Sequence, residues 1–207
     1  MIEEDLYSRR FNLIIGFHGC DESVAKKIVL GEDSLFISSH DYEWLGKGVY
    51  FWENNQARAM EWAIECSKNP RYNIKKPAVL GAILDLGFCL DLNSSEYLIE
   101  LKEGYEYLKR QCELSENPLP ENKRAQNSTD ILVRRLDYAV IESLHELSKE
   151  NKLRPYDSVL GSFVEGKEVY DGASFHDKNH TQICVRNPNC IKGFFLPRAK
   201  DDNYENP

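Results

Sequence analysis

Two near-continuous apolar runs, residues 11–17 (FNLIIGF) and 78–85 (AVLGAILD), constrain the fold most. Each is shorter than the ten or so residues a helix needs, so each reads as a buried strand. Three more strand-like segments close the chain at 159–165, 182–186 and 191–196. Asn187, Pro188 and Asn189 mark the turn between the last two. The middle is different. From Ser94 or Ser95, residues Leu98, Leu101, Tyr105 and Leu108 fall at helical spacing. From Thr129, residues Leu132, Leu136, Val140, Leu144 and Leu147 share one side of a second helix. The polar, proline-bearing stretch 114–128 between them reads as a surface loop. Strands at both ends around a helical middle predict one α+β domain over 1–200. A helical insertion is expected at about 94–150, and a disordered acidic tail at 201–207.

Composition narrows the function classes. A chain of 207 residues, 42% hydrophobic and 29% charged, has the makeup of a folded globular domain. Its net charge of −8 repels phosphate backbones on average, which argues against nonspecific nucleic-acid binding. The basic pairs Arg9-Arg10, Lys75-Lys76, Lys123-Arg124 and Arg134-Arg135 read as solvated surface. The acidic start (MIEED) lacks the pattern of a secretory signal, and the longest apolar run is too short to span a bilayer. Six scattered cysteines without a Cys-x-x-Cys pair suit reduced, buried thiols rather than a zinc site or a disulfide framework. The expectation is a cytoplasmic protein with no membrane partner and no metal.

Three local patterns carry candidate chemistry. His18-Gly19 lies where the first strand meets a helix capped by Asp21, with Val24, Ala25, Ile28 and Val29 as its stripe. In residues 44–53 (WLGKGVYFWE), Gly46 and Gly48 permit a tight turn or close backbone approach. The turn delivers Val49 to Trp52 as a short extended segment that can offer an aromatic ring to a flat ligand. A helix capped by Asn54 or Asn55 follows, to about residue 67, with Ala59, Trp62, Ala63 and Cys66 inward. The polar connection 166–181, carrying Phe175 and His180, reads as a recognition loop.

Together these pieces resemble the ADP-ribosyltransferase fold of the diphtheria-toxin and poly(ADP-ribose) polymerase type. The carriers are strand–His18-Gly19–helix, the segment LGKGVYFWE followed by a helix, and the C-terminal strand pair QICVRNPNCIKGFF. The resemblance implies an α+β fold with a split β-sheet core, flanking helices and a helical insertion. It implies NAD as co-substrate. In it, His18 bonds a ribose hydroxyl, the Gly19 backbone clamps the nicotinamide amide, and Tyr50 stacks on the nicotinamide ring. Gly48 sets the turn, and Cys20 stands where the polymerases commonly carry serine. Trp62, one residue after the aligned Glu61, is the candidate second aromatic. The implied acceptor is a macromolecule, protein or nucleic acid, read by the Phe175 and His180 loop. By the same analogy the chain is a toxin or defence effector with an antitoxin-like inhibitory partner.

Gln182 departs from the family. The polymerases open this strand with glutamate; the His-Tyr-Glu motif becomes His-Tyr-Gln. Exchanging a charged hydrogen bond for a neutral one costs on the order of 1 kcal/mol. Losing a general base costs a further ~10² to 10⁴-fold. Asp177, His180 and Glu165 are the candidates to replace it. The alternative is an inactive module that binds NAD or ADP-ribose. A third reading, a metal held by His176 and His180 four residues apart, needs a helical turn where the pattern runs directly into a strand.

Overall fold

The computed structural model describes residues 12–124 and 130–205. Its elements are, in order, β1 (Ile14–Asp21), α1 (Glu22–Val29), β2 (Val49–Glu53), α2 (Gln56–Ser67), β3 (Pro77–Leu84), β4 (Cys89–Asp91) and α3 (Ser95–Leu114). There follow β5 (Asn122–Arg124), β6 (Ile131–Arg134), α4 (Arg135–Glu150), β7 (Ser158–Phe163), β8 (His180–Val185) and β9 (Ile191–Phe195). Seven strands form one sheet in the order β4-β7-β8-β2-β1-β3-β9. All neighbours are antiparallel except β4 and β7. The α+β expectation holds at that level.

The ladder between β1 and β2 positions the site. β1 pairs with β3 along all of Ile14–Asp21, and β2 pairs with β8 from Val49 to Trp52. Between β1 and β2 the register holds only for Gly16 with Glu53 and Phe17 with Trp52. Beyond Phe17 the two halves of the sheet part, and polar groups there are released from the ladder.

Apolar packing follows the strand alternation. Val49, Phe51, Ala82, Leu84, Ile183 and Val185 make the core on one face. On the other face, α4 lays Ile141 and Leu144 over Val159 and Cys184. Buried on both faces, the central strands read as continuous apolar runs. Asp21 caps α1 by accepting the Ser23 N–H at 3.0 Å, and Asn55 caps α2 by accepting the Arg58 N–H at 2.9 Å.

The insertion differs from its expected form. Residues 94–150 hold α3 and α4, but also the hairpin β5–β6, with Lys123 opposite Val133. The second helix therefore begins at Arg135, not Thr129, and Leu132 sits on a strand. Thr129 itself lies outside the described residues. The cap explains the shift: Asn122 Oδ1 accepts the N–H groups of Leu136 and Asp137, so the helix starts where the hairpin brings that oxygen. Such a cap is supplied from another element and leaves no local pattern. In the expected tail, the Asp201 carbonyl accepts the Tyr204 N–H in an exposed turn. Asn206 and Pro207, like Phe11 and Arg9-Arg10, lie outside the described residues. No helix among the described residues is long and apolar enough to cross a membrane.

Candidate active site

Where β1 and β2 part, a cavity of about 470 Å³ opens. His18 from β1, Gly48, Tyr50 and Trp52 from the turn and β2, and Arg58 and Trp62 from α2 line it. Gln182 from β8 and Glu165 just past β7 complete that wall. Residues far apart in the chain thus share one concave, largely aromatic site of the size that holds a small ligand.

The Gly-Lys-Gly turn aims Tyr50. Gly46 has φ of +80°, a left-handed conformation that favours glycine. Gly48 is needed for space: a Cβ there would collide with Cys184 Sγ and lie 2.6 Å from the Val185 carbonyl oxygen. The turn is also held from outside. Glu142 on α4 accepts the Lys47 N–H at 2.8 Å, while Arg186 donates to the Lys47 carbonyl at 3.0 Å and pairs with Glu142. The Tyr50 hydroxyl accepts the Leu45 N–H at 3.0 Å and donates to the Gly46 carbonyl at 2.5 Å. Burial pushes its pKa well above the usual tyrosine value. The phenol is therefore a fixed anchor, and the part of Tyr50 left for a ligand is its ring. By alternation Phe51 goes to the core, fully buried, while Trp52 faces the cavity. Glu142 and Arg186 were not singled out in the sequence, because nothing local links them to the turn.

His18 sits at the parting of the strands. Its Nδ1 donates to the Tyr50 carbonyl at 2.8 Å. A carbonyl only accepts, so Nδ1 carries the proton and neutral Nε2 is an acceptor. Burial lowers the His18 pKa, opposed by that backbone hydrogen bond. The neutral form with a bare Nε2 is the form to expect at pH 7, suited to a ligand hydroxyl.

His145 and His180 are lowered too, each chiefly by burial. The unfolded chain takes up protons through about pH 6.5, whereas these three folded side chains resist until lower pH. More protons bound unfolded means stability that falls as pH drops below about 6.5. Glu43, raised by burial, works in the opposite direction as a single group. Asp21, held low by hydrogen bonds from Lys76 and Ser23 above all, matters only below about pH 4. The urea midpoint is expected to be lower at pH 5.5 than at 7.5. Equal midpoints would contradict buried neutral histidines.

Gln182 pairs with Trp52 on one side and Gly161 on the other, and its Oε1 is buried without a hydrogen-bond partner among the described residues. The same holds for Trp52 Nε1 and for Arg58 Nε and Nη1, and, just behind them, for His180 Nε2. Unmet buried polar atoms are costly and uncommon. Three of the residues that carry them, Gln182, Trp52 and Arg58, line the cavity.

Other expected site residues fall elsewhere. Gly19 packs against α2; a Cβ there would collide with the Ala59 carbonyl and lie 3.1 Å from the Trp62 ring. Its bareness lets α2 approach, which brings Trp62 to the cavity. Cys20 is in the core with Ala25, Ile28 and Leu80, covered by α1, and burial pushes its thiol up to about 11. It does not line the cavity, which corrects its assignment as a cofactor contact. Phe175 is exposed on the 166–179 connection, away from the cavity lining. His180 belongs to β8, not to that connection, and donates from Nδ1 to the Lys178 carbonyl at 2.7 Å. His176 instead bonds the Gly166 carbonyl, and no helical turn joins the two histidines. No group of three or more metal-ligating side chains occurs among the described residues. Comparison with protein-family models, curated proteins and solved structures finds no match.

Proposed function

We propose that this chain is an ADP-ribosyltransferase of the type its motifs resemble. It cleaves NAD between nicotinamide and ribose and passes ADP-ribose to a macromolecular acceptor. One observation carries the reading: His18, Tyr50 and Gln182, drawn from three separate motifs, line one cavity at the parting of the sheet. Their states suit the task. Tyr50 offers a ring whose hydroxyl is already engaged, for the nicotinamide. His18 Nε2 offers an acceptor for a ribose hydroxyl, and Gln182 lines the same cavity. Trp62 adds another aromatic face, 6.5 Å from the His18 ring, centroid to centroid. Positive charge builds on the ribose as the bond breaks, as in glycoside cleavage, so held hydroxyls and excluded water favour the reacting geometry.

A second reading is favoured by the neutral Gln182: a module that binds NAD or ADP-ribose without turnover. Incubating the chain with NAD labelled in its adenylate half, plus total cellular RNA or protein, separates the two. The enzyme reading expects labelled macromolecule and released nicotinamide. Binding of NAD without either product would select the module. Acceptor class, a toxin or defence role, and an antitoxin-like partner are part of the proposal by analogy alone.

A further inference from the structure

The cavity holds three carboxylates, and they are held in different ways. Glu65 is half exposed and tied to Lys178 at 2.7 Å. Glu43 accepts a hydrogen bond from Ser38 and comes from the loop before the Gly-Lys-Gly turn. Glu165 is only 7% exposed and lies on the Gln182 wall. The register explains its place. Gly161 is opposite Gln182 and Phe163 opposite His180. Continuing by twos puts Glu165 on the same face, where its carbonyl still accepts the Lys178 N–H at 3.1 Å. Phe163 and His180 occupy the same face between that position and Gln182.

Arg58, 5% exposed, reaches Glu165 from α2; its Nη2 donates to both carboxylate oxygens at 3.1 Å. The pair is expensive. The buried guanidinium carries a large desolvation cost, its Nε and Nη1 making no hydrogen bond and Nη1 lying 3.9 Å from Glu61. What it achieves is a carboxylate held in the lining of the cavity that Gln182 also lines, four residues along from the position opposite Gln182, with His180 Nδ1 3.6 Å from it. The other candidates lack that position. Asp177 is exposed and accepts the Lys167 N–H at 2.8 Å, and His180 does not line the cavity.

We infer that Glu165, held by Arg58, supplies the catalytic carboxylate that Gln182 does not. The inference rests on the transferase reading above. As the ribose C1′–N bond breaks, its electron pair leaves on nicotinamide. An acceptor N–H or O–H attacks C1′, and its proton passes to a Glu165 carboxylate oxygen. Gln182 orients the ribose, and Glu165 acts as base: the two roles of one glutamate fall to two residues.

The test measures NAD affinity and label transfer separately in the full chain. Glu165→Gln keeps an oxygen for Arg58, so NAD affinity is expected within about threefold of the parent. Transfer is expected to fall ~10² to 10⁴-fold. Adding Gln182→Glu to that variant is expected to restore part of it. Glu43→Gln, at a second carboxylate of the same cavity, should lower transfer less than Glu165→Gln does. Transfer by Glu165→Gln within about threefold of the parent overturns the inference, as does a loss confined to Glu43→Gln. If Glu165→Gln fails to fold, Glu165→Asp decides. It keeps the charge and retracts the carboxylate by one methylene, and transfer unchanged at unchanged affinity overturns the inference. A parent chain that neither binds NAD nor transfers label would instead overturn the underlying transferase reading.

Discussion

Tyr50→Ala is expected to lower nicotinamide release from NAD by at least ~10²-fold, the penalty typical of a misplaced reacting group. The ring is the platform, and it is built rather than incidental. Gly46 supplies the left-handed turn, Gly48 the close approach to β8, and Glu142 with Arg186 clamp the turn from outside. Tyr50→Phe is the informative partner. It keeps the ring but leaves the Leu45 N–H and Gly46 carbonyl without their shared hydroxyl. Unmet groups of that kind cost about 1–3 kcal/mol, so this variant should lose stability while keeping transfer within about tenfold. The reverse pattern, with Tyr50→Phe as damaging to transfer as Tyr50→Ala, would mean that the hydroxyl and not the ring does the chemistry. Thermal unfolding and nicotinamide release on both variants check it.

His18→Ala is the second large effect, again at least ~10²-fold in transfer. Two things are lost: the Nε2 acceptor, and the Nδ1–H that satisfies the Tyr50 carbonyl where the β1–β2 ladder has ended. The wild-type chain should show the same loss reversibly in acid. Protonating His18 removes the acceptor, and because burial lowers its pKa the decline should set in below about pH 6.5. Nicotinamide release by His18→Ala at the wild-type rate would show that the site is misassigned.

The sheet was largely legible in the sequence because buried strands write themselves as short apolar runs. The runs at residues 11–17 and 78–85 announced β1 and β3, and the Asp21 and Asn55 caps announced α1 and α2. The hairpin β5–β6 did not show, since Asn122–Arg124 is polar on both faces and has no alternation to read. Half of the site was legible for a similar reason. His18, Tyr50 and Gln182 sit on strands β1, β2 and β8, which local pattern locates. Arg58 looked like one more polar position on an amphipathic helix, and Glu165 was one of three candidate bases that the sequence alone does not place in the cleft. Their pairing spans 107 residues and exists only in three dimensions. Cys20 misled because its neighbours His18 and Gly19 match the motif, whereas α1 folds over the thiol.

The central claim is that this cavity binds NAD, and the chain carries its own reporter. All three tryptophans, Trp44, Trp52 and Trp62, line the cavity. Titration of intrinsic tryptophan fluorescence with NAD is predicted to give a saturable change, with half-saturation between about 1 μM and 1 mM, that is lost in Tyr50→Ala. A wild-type signal that does not move at millimolar NAD would contradict the account.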